Sequence, residues 1–178
     1  MSSNNFADAK RDFEIQYLTE KLKNCNWNIS LTAENLGMKQ PNLSRKMKDL
    51  KIATHYGCHA LRPSKVTQFD DPVAPTLFDE LVKATGAKSV EWSEKLNCCG
   101  APLMGVNDNI SMDLTRKKLD SGRESGADFL CTACPYCQIQ FDQVQSMMAQ
   151  NGGTDDTLPS MLYPQLLGLC MGVDEKKL

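Results

Sequence analysis

Five cysteines are spaced in a way that constrains this chain more than any other feature of its sequence. Cys58 stands alone, the vicinal pair Cys98-Cys99 follows after 39 residues, and 34 further residues separate Cys99 from the C-x-x-C motif of Cys134 and Cys137. The first residues lack the basic and apolar regions of a signal peptide, so we expect a cytoplasmic chain whose thiols stay reduced. Clustered cysteines that stay reduced are typical of metal or redox sites rather than of disulfide frameworks.

Charged residues are distributed unevenly along the 178 positions of the chain. Residues 1–52 carry nine Lys and Arg against six Asp and Glu, whereas residues 53–178 carry eleven against sixteen, which gives the net charge of −2. That total excludes a uniformly basic nucleic-acid binder. The sequence contains no run of about 18 apolar residues, so no membrane span is predicted. We therefore predict a small, mildly basic unit at residues 1–50 and a larger, acidic, cysteine-rich unit at residues 51–178.

Apolar residues at helical spacing predict three short helices in the N-terminal unit. Leu18 and Leu22 lie on one face of a helix over about residues 7–23, and Gly37 permits a tight turn between the next two helices. Pro41 suits the first turn of the third helix. Two short helices joined through a glycine are the helix-turn-helix arrangement, whose second helix can enter the major groove of DNA.

Polar and basic side chains on and just before the third helix are the candidate DNA contacts, because Arg and Lys hold phosphates while Asn and Gln read base edges. They are Lys39, Gln40, Asn42, Ser44, Arg45, Lys46 and Lys48. The alternative is a structural or protein-docking bundle. The elements Trp27-Asn28-Ile29-Ser30, Leu36-Gly37 and Leu43-x-Arg45-Lys46 together resemble the Fis-type DNA-binding domain, and more closely the C-terminal domain of nitrogen-regulation response regulators. This resemblance covers about residues 6–52 and implies DNA as a partner.

Strand and helix patterns alternate from residue 51 onward, which predicts an α/β fold with a mainly parallel sheet. Active groups in such sheets gather beyond the carboxyl ends of the strands, and all five clustered cysteines fall just after a predicted strand or in the loop that leaves it. The predicted strands are 51–56, 88–92, 128–132 and about 161–163, and the predicted helices are 75–85, 108–123, 135–149 and one from residue 164.

The number of clustered thiols limits the kind of metal site they can form. Five thiolates exceed the four that a zinc ion or a cubane iron–sulfur cluster accepts, so a larger or opened iron–sulfur assembly fits better. Zinc stays open as the less favoured alternative, with Cys58, one vicinal cysteine and the C-x-x-C pair as a four-sulfur site. A cluster of buried thiols without metal is the third alternative.

The cysteine pattern and its flanks resemble the CCG cysteine-rich domain, and within that group the second such domain of the heterodisulfide reductase B-subunit. The flanks are His55-Tyr56-Gly57-Cys58-His59, Phe69-Asp70-Asp71-Pro72 and Gln165-Leu166-Leu167-Gly168-Leu169, and the resemblance spans about residues 51–173. It implies disulfide reduction or electron transfer at a non-cubane [4Fe–4S] cluster. The ligands that it implies are Cys58, Cys98, Cys99, Cys134 and Cys137.

Three residues beside these cysteines are predicted to support the ligands rather than to bind metal. His55 and His59 flank Cys58 and are expected to hydrogen bond around the ligands rather than to donate protons in a reaction. Gly100 completes the Cys-Cys-Gly motif and is expected to lie against the same site.

Two functions of different classes follow from these patterns. The first is an iron–sulfur redox protein that carries a helix-turn-helix, works with redox partner proteins and is a candidate oxidoreductase for a thiol or disulfide substrate. The second is a DNA-binding transcriptional regulator whose cluster senses redox state or iron–sulfur supply. We also predict a homodimer in which Phe13 and Tyr17 of the first helix pair across a two-fold axis. The competing expectation is a monomer in which these side chains cover the helix-turn-helix core.

Overall fold

A computed structural model describes residues 10, 13–14, 17–18, 20–22, 24–25, 29–39, 42–43, 50–150 and 157–171 of the chain. Four short strands form one sheet in the order β2-β1-β3-β4, and every neighbouring pair is parallel. Their bounds are β1 Lys51–His55, β2 Lys88–Val90, β3 Phe129–Thr132 and β4 Ser160–Leu162. The α/β fold with a parallel sheet that the sequence predicted is confirmed.

Seven α-helices have both ends within the described residues, and the four that connect or follow the strands lie within a few residues of their predicted positions. Two four-residue helices after β1 and a 3-10 turn at Ala101–Leu103 were not predicted. The α-helices are α1 Ile29–Asn35, α2 Cys58–Leu61, α3 Ser64–Thr67, α4 Leu77–Ala84, α5 Asp108–Glu124, α6 Pro135–Gln150 and α7 Tyr163–Met171.

Alternate residues of the central strands pack on opposite faces of the sheet, as the two-residue period of a strand requires. Ile52 and Phe129 belong to a core cluster with side chains of α4 and α7, whereas Ala53 and Leu130 belong to a second cluster with side chains of α5 and α6. Helices therefore cover both faces, which is the usual arrangement of a parallel sheet.

The strand order creates a switch point between β1 and β3. The chain leaves β1 toward β2 on one side, then crosses back through α5 to β3 on the other side of β1. In open α/β sheets the crevice outside the carboxyl ends of the strands at such a point is where ligands bind. The fold thus directs the loops after β1 and β3 to a shared crevice.

The described part of the N-terminal unit is helical and joins the first core cluster. Leu18, Leu22 and Leu43 are buried in one cluster with Leu50 and the β1 residue Ile52. No helix among the described residues is long and apolar enough to cross a membrane.

The predicted turn of the helix-turn-helix is confirmed at Gly37. Helix α1 ends in a Schellman motif, because Gly37 has a φ of +62°, Met38 N donates to the Ala33 carbonyl at 2.9 Å and Gly37 N donates to Glu34 at 2.9 Å. Of the candidate DNA contacts, Lys39 and Asn42 are exposed. The others, Gln40, Ser44, Arg45, Lys46 and Lys48, lie outside the described residues.

Candidate metal centre

Three loops at the carboxyl edge of the sheet carry the five clustered cysteines. Cys58 opens α2 three residues after β1 ends, and Cys98 and Cys99 lie in the loop that follows β2. Cys134 precedes α6 and Cys137 lies in its first turn, just after β3. The Cys134 carbonyl accepts a hydrogen bond from Gln138 N at 3.2 Å, as expected of the residue that begins a helix. All five cysteines therefore share the edge that the topology predicted.

A glycine brings two of these loops into close approach. Gly57 has a φ of +76°, and a Cβ added to it would lie 3.1 Å from the Cβ of Cys134. Ala133 N also donates to the His55 carbonyl at 3.2 Å, which extends the pairing of β1 and β3 beyond their ends. The loops that carry Cys58 and Cys134 are thus held together by backbone geometry.

The innermost part of the site is a buried group of two cysteines and one histidine. The ligand atoms of His55, Cys99 and Cys137 all lie within 4.8 Å of one another. Because Cys137 hydrogen bonds to Cys99, the pKa of Cys99 is lowered despite its burial, while the same bond raises the pKa of Cys137. The pair therefore favours one thiolate, which is the form that binds metals, on Cys99.

The other cysteines lie closer to solvent than this buried group. Cys58, Cys98 and Cys134 are only half-buried. Burial raises the pKa of Cys58, and the neighbouring charges of Cys98 and Cys99 raise it further. Cys98 Sγ accepts a hydrogen bond from Gly100 N at 3.4 Å. The site is consequently closed on the side of Cys99 and Cys137 and accessible on the side of Cys58.

The two predicted supporting histidines occupy different environments. His55 is 1% exposed and packs edge-on against Phe141, with 5.4 Å between ring centroids. Neither of its ring nitrogens makes a hydrogen bond of ordinary geometry with any described residue. Burial lowers the pKa of His55, although an interaction with the Cys99 side chain opposes this, so the buried ring is neutral and has one N–H to donate beside Cys99 and Cys137. His59, in contrast, is exposed in α2.

Gly100 fixes the vicinal cysteines against helix α5. Its φ is +95°, and a Cβ at this position would lie 2.4 Å from the carbonyl oxygen of Ser111. Only glycine combines such a backbone conformation with so close an approach. The expectation that Gly100 lies directly beside the ligands thus has a steric reason.

A buried polar network holds the same loop, and no sequence pattern predicts it. Ser111 Oγ donates to the Gly100 carbonyl at 2.9 Å, and Thr115 Oγ1 donates to the Cys99 carbonyl at 2.7 Å. Gln140 Nε2 of α6 donates to both hydroxyls, at 2.9 and 3.0 Å. Ser111 and Thr115 are four residues apart, so helical spacing alone would have placed them on one face of α5. Nothing in the sequence marks that face as buried.

A fully buried lysine lies behind the vicinal cysteines and was also missed. Lys118 of α5 is 0% exposed, and its Nζ is 4.8 Å from the centroid of the Trp92 ring. It donates hydrogen bonds to the carbonyls of Glu94 and of Asn97, the latter at 2.9 Å. Burial lowers the pKa of Lys118 to about 8, although nearby negative charges, Glu94 first, oppose this.

A buried carboxylate ties β1 and β2 to the segment that precedes Cys98. Asp79 of α4 accepts hydrogen bonds from Thr54 Oγ1 at 2.8 Å, Tyr56 Oη at 2.7 Å and Ser89 Oγ at 2.5 Å. It also forms an ion pair with Lys95 Nζ at 2.5 Å. Since Tyr56 precedes Cys58 by two residues and Lys95 precedes Cys98 by three, this network fixes two cysteine loops relative to each other.

The remaining three cysteines do not join the site. Cys131 and Cys170 are buried in the first core cluster, and Cys25 Sγ accepts a hydrogen bond from Asn35 Nδ2 at 3.2 Å. They act as packing residues.

Two known protein families match this chain, one in its N-terminal part and one in its cysteine-rich part. Residues 52–142 match the CCG cysteine-rich domain family, and residues 10–50 match the Fis family of bacterial regulatory proteins. The B-subunit of the ferredoxin:CoB-CoM heterodisulfide reductase of Methanosarcina mazei is 44% identical over 133 residues, which cover 73% of this chain and 44% of that protein.

Two further relatives show the same relationship. The B-subunit of the ferredoxin/F(420)H(2)-dependent CoB-CoM heterodisulfide reductase of Methanosarcina acetivorans is also 44% identical over 133 residues, covering 73% of this chain and 44% of that protein. The 8-methylmenaquinol:fumarate reductase membrane anchor subunit of Wolinella succinogenes is 32% identical over 160 residues, covering 90% of this chain and 55% of that protein. This chain spans about half the length of these relatives. By its match over residues 52–142 and by these relatives, the chain belongs to the CCG cysteine-rich domain family.

Proposed function

We propose that this chain is an iron–sulfur redox protein whose five clustered cysteines hold a non-cubane [4Fe–4S] cluster. One observation carries the proposal, namely that three loops bring five thiols to the switch point of a parallel sheet, with Cys99, Cys137 and His55 within 4.8 Å of one another. The ligands would be Cys58, Cys98, Cys99, Cys134 and Cys137. Residues 51–178 would form this redox unit and residues 1–50 a DNA-binding unit whose described part packs against it.

The donor set fits an iron–sulfur cluster better than it fits zinc. A zinc ion takes four ligands, whereas His55, Cys99 and Cys137 lie together and three further thiols, those of Cys58, Cys98 and Cys134, lie in the same three loops. The His55 N–H has no partner of ordinary geometry among the described residues, and sulfur atoms of a cluster accept such hydrogen bonds. When bound, the cluster would supply a one-electron redox centre. The buried Cys99 side excludes water, and the half-buried Cys58 side leaves access for a reactant.

Metal analysis of anaerobically purified full-length protein tests the cluster. We expect about four irons per chain with matching acid-labile sulfide and a broad visible absorption, as the family resemblance implies. Cys99→Ser should remove or rearrange the cluster, whereas Cys170→Ser, a matched change of a buried cysteine outside the site, should leave it intact. Stoichiometric zinc without sulfide, or equal effects of the two substitutions, would contradict the assignment.

The redox reaction that we propose is electron exchange with a partner protein and a thiol or disulfide. The relatives named as heterodisulfide reductase subunits support this class of substrate. Reduction of one disulfide to two thiols consumes two electrons and two protons, and a one-electron carrier protein would deliver the electrons singly. Mixing dithionite-reduced protein with oxidised glutathione tests this: two thiols should appear for every two electrons lost, and no thiol release would refute it.

A second candidate function is DNA-binding regulation by the N-terminal unit. The Fis-family match over residues 10–50 favours it, together with the exposed Lys39 and Asn42 beside the Gly37 turn. The proposed contacts include Gln40, Ser44, Arg45, Lys46 and Lys48 as well. Fluorescence anisotropy of the full chain on a duplex should give binding that falls steeply with salt.

A pair of substitutions separates specific contacts from general charge effects in that assay. Arg45→Ala should weaken binding and reduce the salt slope by about one. Lys10→Ala removes the same charge from an exposed helical position that precedes α1 and should change the affinity much less. Absence of binding at low salt would leave the N-terminal unit as a structural bundle.

A further inference from the structure

Lys118 is a buried cation that forms no ion pair with a carboxylate in the described part of the chain. Its Nζ donates to two backbone carbonyls and lies over the Trp92 ring. The nearest candidate, Glu94, instead binds Lys117 Nζ at 3.0 Å and Asn97 Nδ2 at 2.5 Å. Burial of an ammonium group is costly unless negative charge lies close by.

The cysteine site is a second source of negative charge beside Lys118. Glu94 contributes most to keeping Lys118 charged, and Cys99, Cys137 and Cys98 add to this. The Asn97 carbonyl that it binds belongs to the residue directly before Cys98. Lys118 therefore faces the site through the backbone of the vicinal pair, on the side away from solvent.

We propose that Lys118 is the counter-cation of this site and that its charge makes reduction of the bound cluster more favourable. This rests on the proposed iron–sulfur function. A cluster that gains one electron becomes more negative, and a fixed positive charge in a region without water stabilises that state. Lys118 would act as a positioning residue through charge and would not itself touch a substrate.

A purely structural role for Lys118 makes a different prediction. In that case the hydrogen bonds to the Glu94 and Asn97 carbonyls matter, and a neutral side chain that keeps N–H donors would suffice. Lys118→Gln keeps donors and removes the charge, Lys118→Arg keeps the charge, and Lys118→Met removes both. Arg116→Met is the matched control, because Arg116 lies two residues away on the same helix but is 49% exposed and pairs with the exposed Asp113 rather than with Glu94.

Reductive titration of the four loaded variants with dithionite decides between the two roles. Each cluster takes one electron from dithionite, which is oxidised to sulfite, and the midpoint is read from absorption and electron paramagnetic resonance. Two unit charges about 10 Å apart at an effective dielectric near 20 interact strongly enough to change an equilibrium roughly tenfold. We therefore expect the Gln and Met variants to lower the reduction equilibrium constant about tenfold, which is about 59 mV for one electron.

The Lys118→Arg variant and the Arg116→Met control should stay within about twofold of the unsubstituted protein. An unchanged midpoint in Lys118→Gln overturns the counter-cation role, even where Lys118→Met does not fold. A midpoint that falls equally in the Gln and Arg variants also overturns it, because charge then plays no part. If the unsubstituted protein takes up no iron and sulfide, the proposed function itself fails; a loaded protein with an unchanged midpoint refutes the role of Lys118 alone.

Discussion

Replacement of Gly100 by alanine tests how closely the vicinal cysteines are bound to helix α5. Gly100 has a φ of +95° and would carry its Cβ 2.4 Å from the Ser111 carbonyl oxygen. Gly105 offers a matched control in the same loop, because its φ is +84° but an added Cβ would meet no atom within 4 Å. Both substitutions impose the same backbone penalty, and only Gly100→Ala adds a steric overlap.

The expected loss of stability follows from these two terms. A left-handed conformation costs a non-glycine residue about 1–2 kcal/mol, so Gly105→Ala should lower the free energy of unfolding by about that amount. Gly100→Ala must also move the loop away from α5, which adds about 1–3 kcal/mol of overpacking. It weakens the hydrogen bond from Ser111 to the Gly100 carbonyl as well, at a cost of about 1 kcal/mol. The total for Gly100→Ala is therefore about 3–6 kcal/mol.

Anaerobic urea unfolding followed by circular dichroism measures both free energies on the full chain. Gly100→Ala should be less stable than Gly105→Ala by at least about 2 kcal/mol, and it should retain less iron, because the displaced loop carries Cys98 and Cys99. Equal losses in the two variants would show that the close approach to Ser111 is not a constraint, and the steric account of the Cys-Cys-Gly motif would be wrong.

Three further substitutions test the networks and the assembly. Asp79→Asn should destabilise the protein by about 3–5 kcal/mol at pH 7 because it leaves Lys95 without its buried partner. Burial alone would raise the pKa of Asp79, but hydrogen bonds led by that from Lys95 lower it overall. The stability that Asp79 contributes is therefore present above about pH 4 and lost as the pH falls. The free energy of unfolding of Asp79→Asn should consequently decrease less between pH 7 and pH 3 than that of the unsubstituted protein. Thr115→Val should cost about 1–3 kcal/mol and reduce iron retention, since the Cys99 carbonyl loses a buried donor, and full iron content would contradict this. Light scattering on tens of micromolar protein should give twice the chain mass of 19.8 kDa. Phe13→Asp should reduce the measured mass to that of one chain, because Phe13 is 65% exposed and stacks on Tyr17 rather than packing into the helix-turn-helix core.

The long elements of the fold could be predicted because their periodicity is strong. Helix α5 was predicted over 108–123 and spans Asp108–Glu124, and β1 was predicted over 51–56 and spans Lys51–His55. The two four-residue helices after β1 could not be predicted, because one turn is too short to show a period. The order of the strands was also out of reach, since local patterns do not identify a strand's neighbours.

The thiols of the candidate site could be predicted from the sequence, but not the groups that support them. The cysteines follow strands, and parallel topology alone brings the ends of these strands to one edge. Ser111, Thr115, Gln140 and Lys118 are polar residues on helices, for which a solvent-facing position is the ordinary expectation. Their burial is tolerated because Ser111, Thr115 and Lys118 donate to buried carbonyls of the segment around Cys98 and Cys99, and Gln140 donates to the two hydroxyls.

The buried contact between the N-terminal helices and the sheet provides a way to decide whether the two proposed functions are coupled. Leu43 and Leu50 share a core cluster with Ile52 and Tyr56, and Tyr56 precedes Cys58 by two residues. If the charge of the cysteine site shifts the packing of this hydrophobic core, reduction of the proposed iron–sulfur cluster must change the affinity for DNA. By linkage, DNA must then change the reduction equilibrium by the same factor. A sensor requires equal factors well above one in both measurements, whereas a redox protein with an independent DNA-binding unit gives a factor of one in each. Unequal factors would violate the linkage and would mean that the two measurements sampled different species.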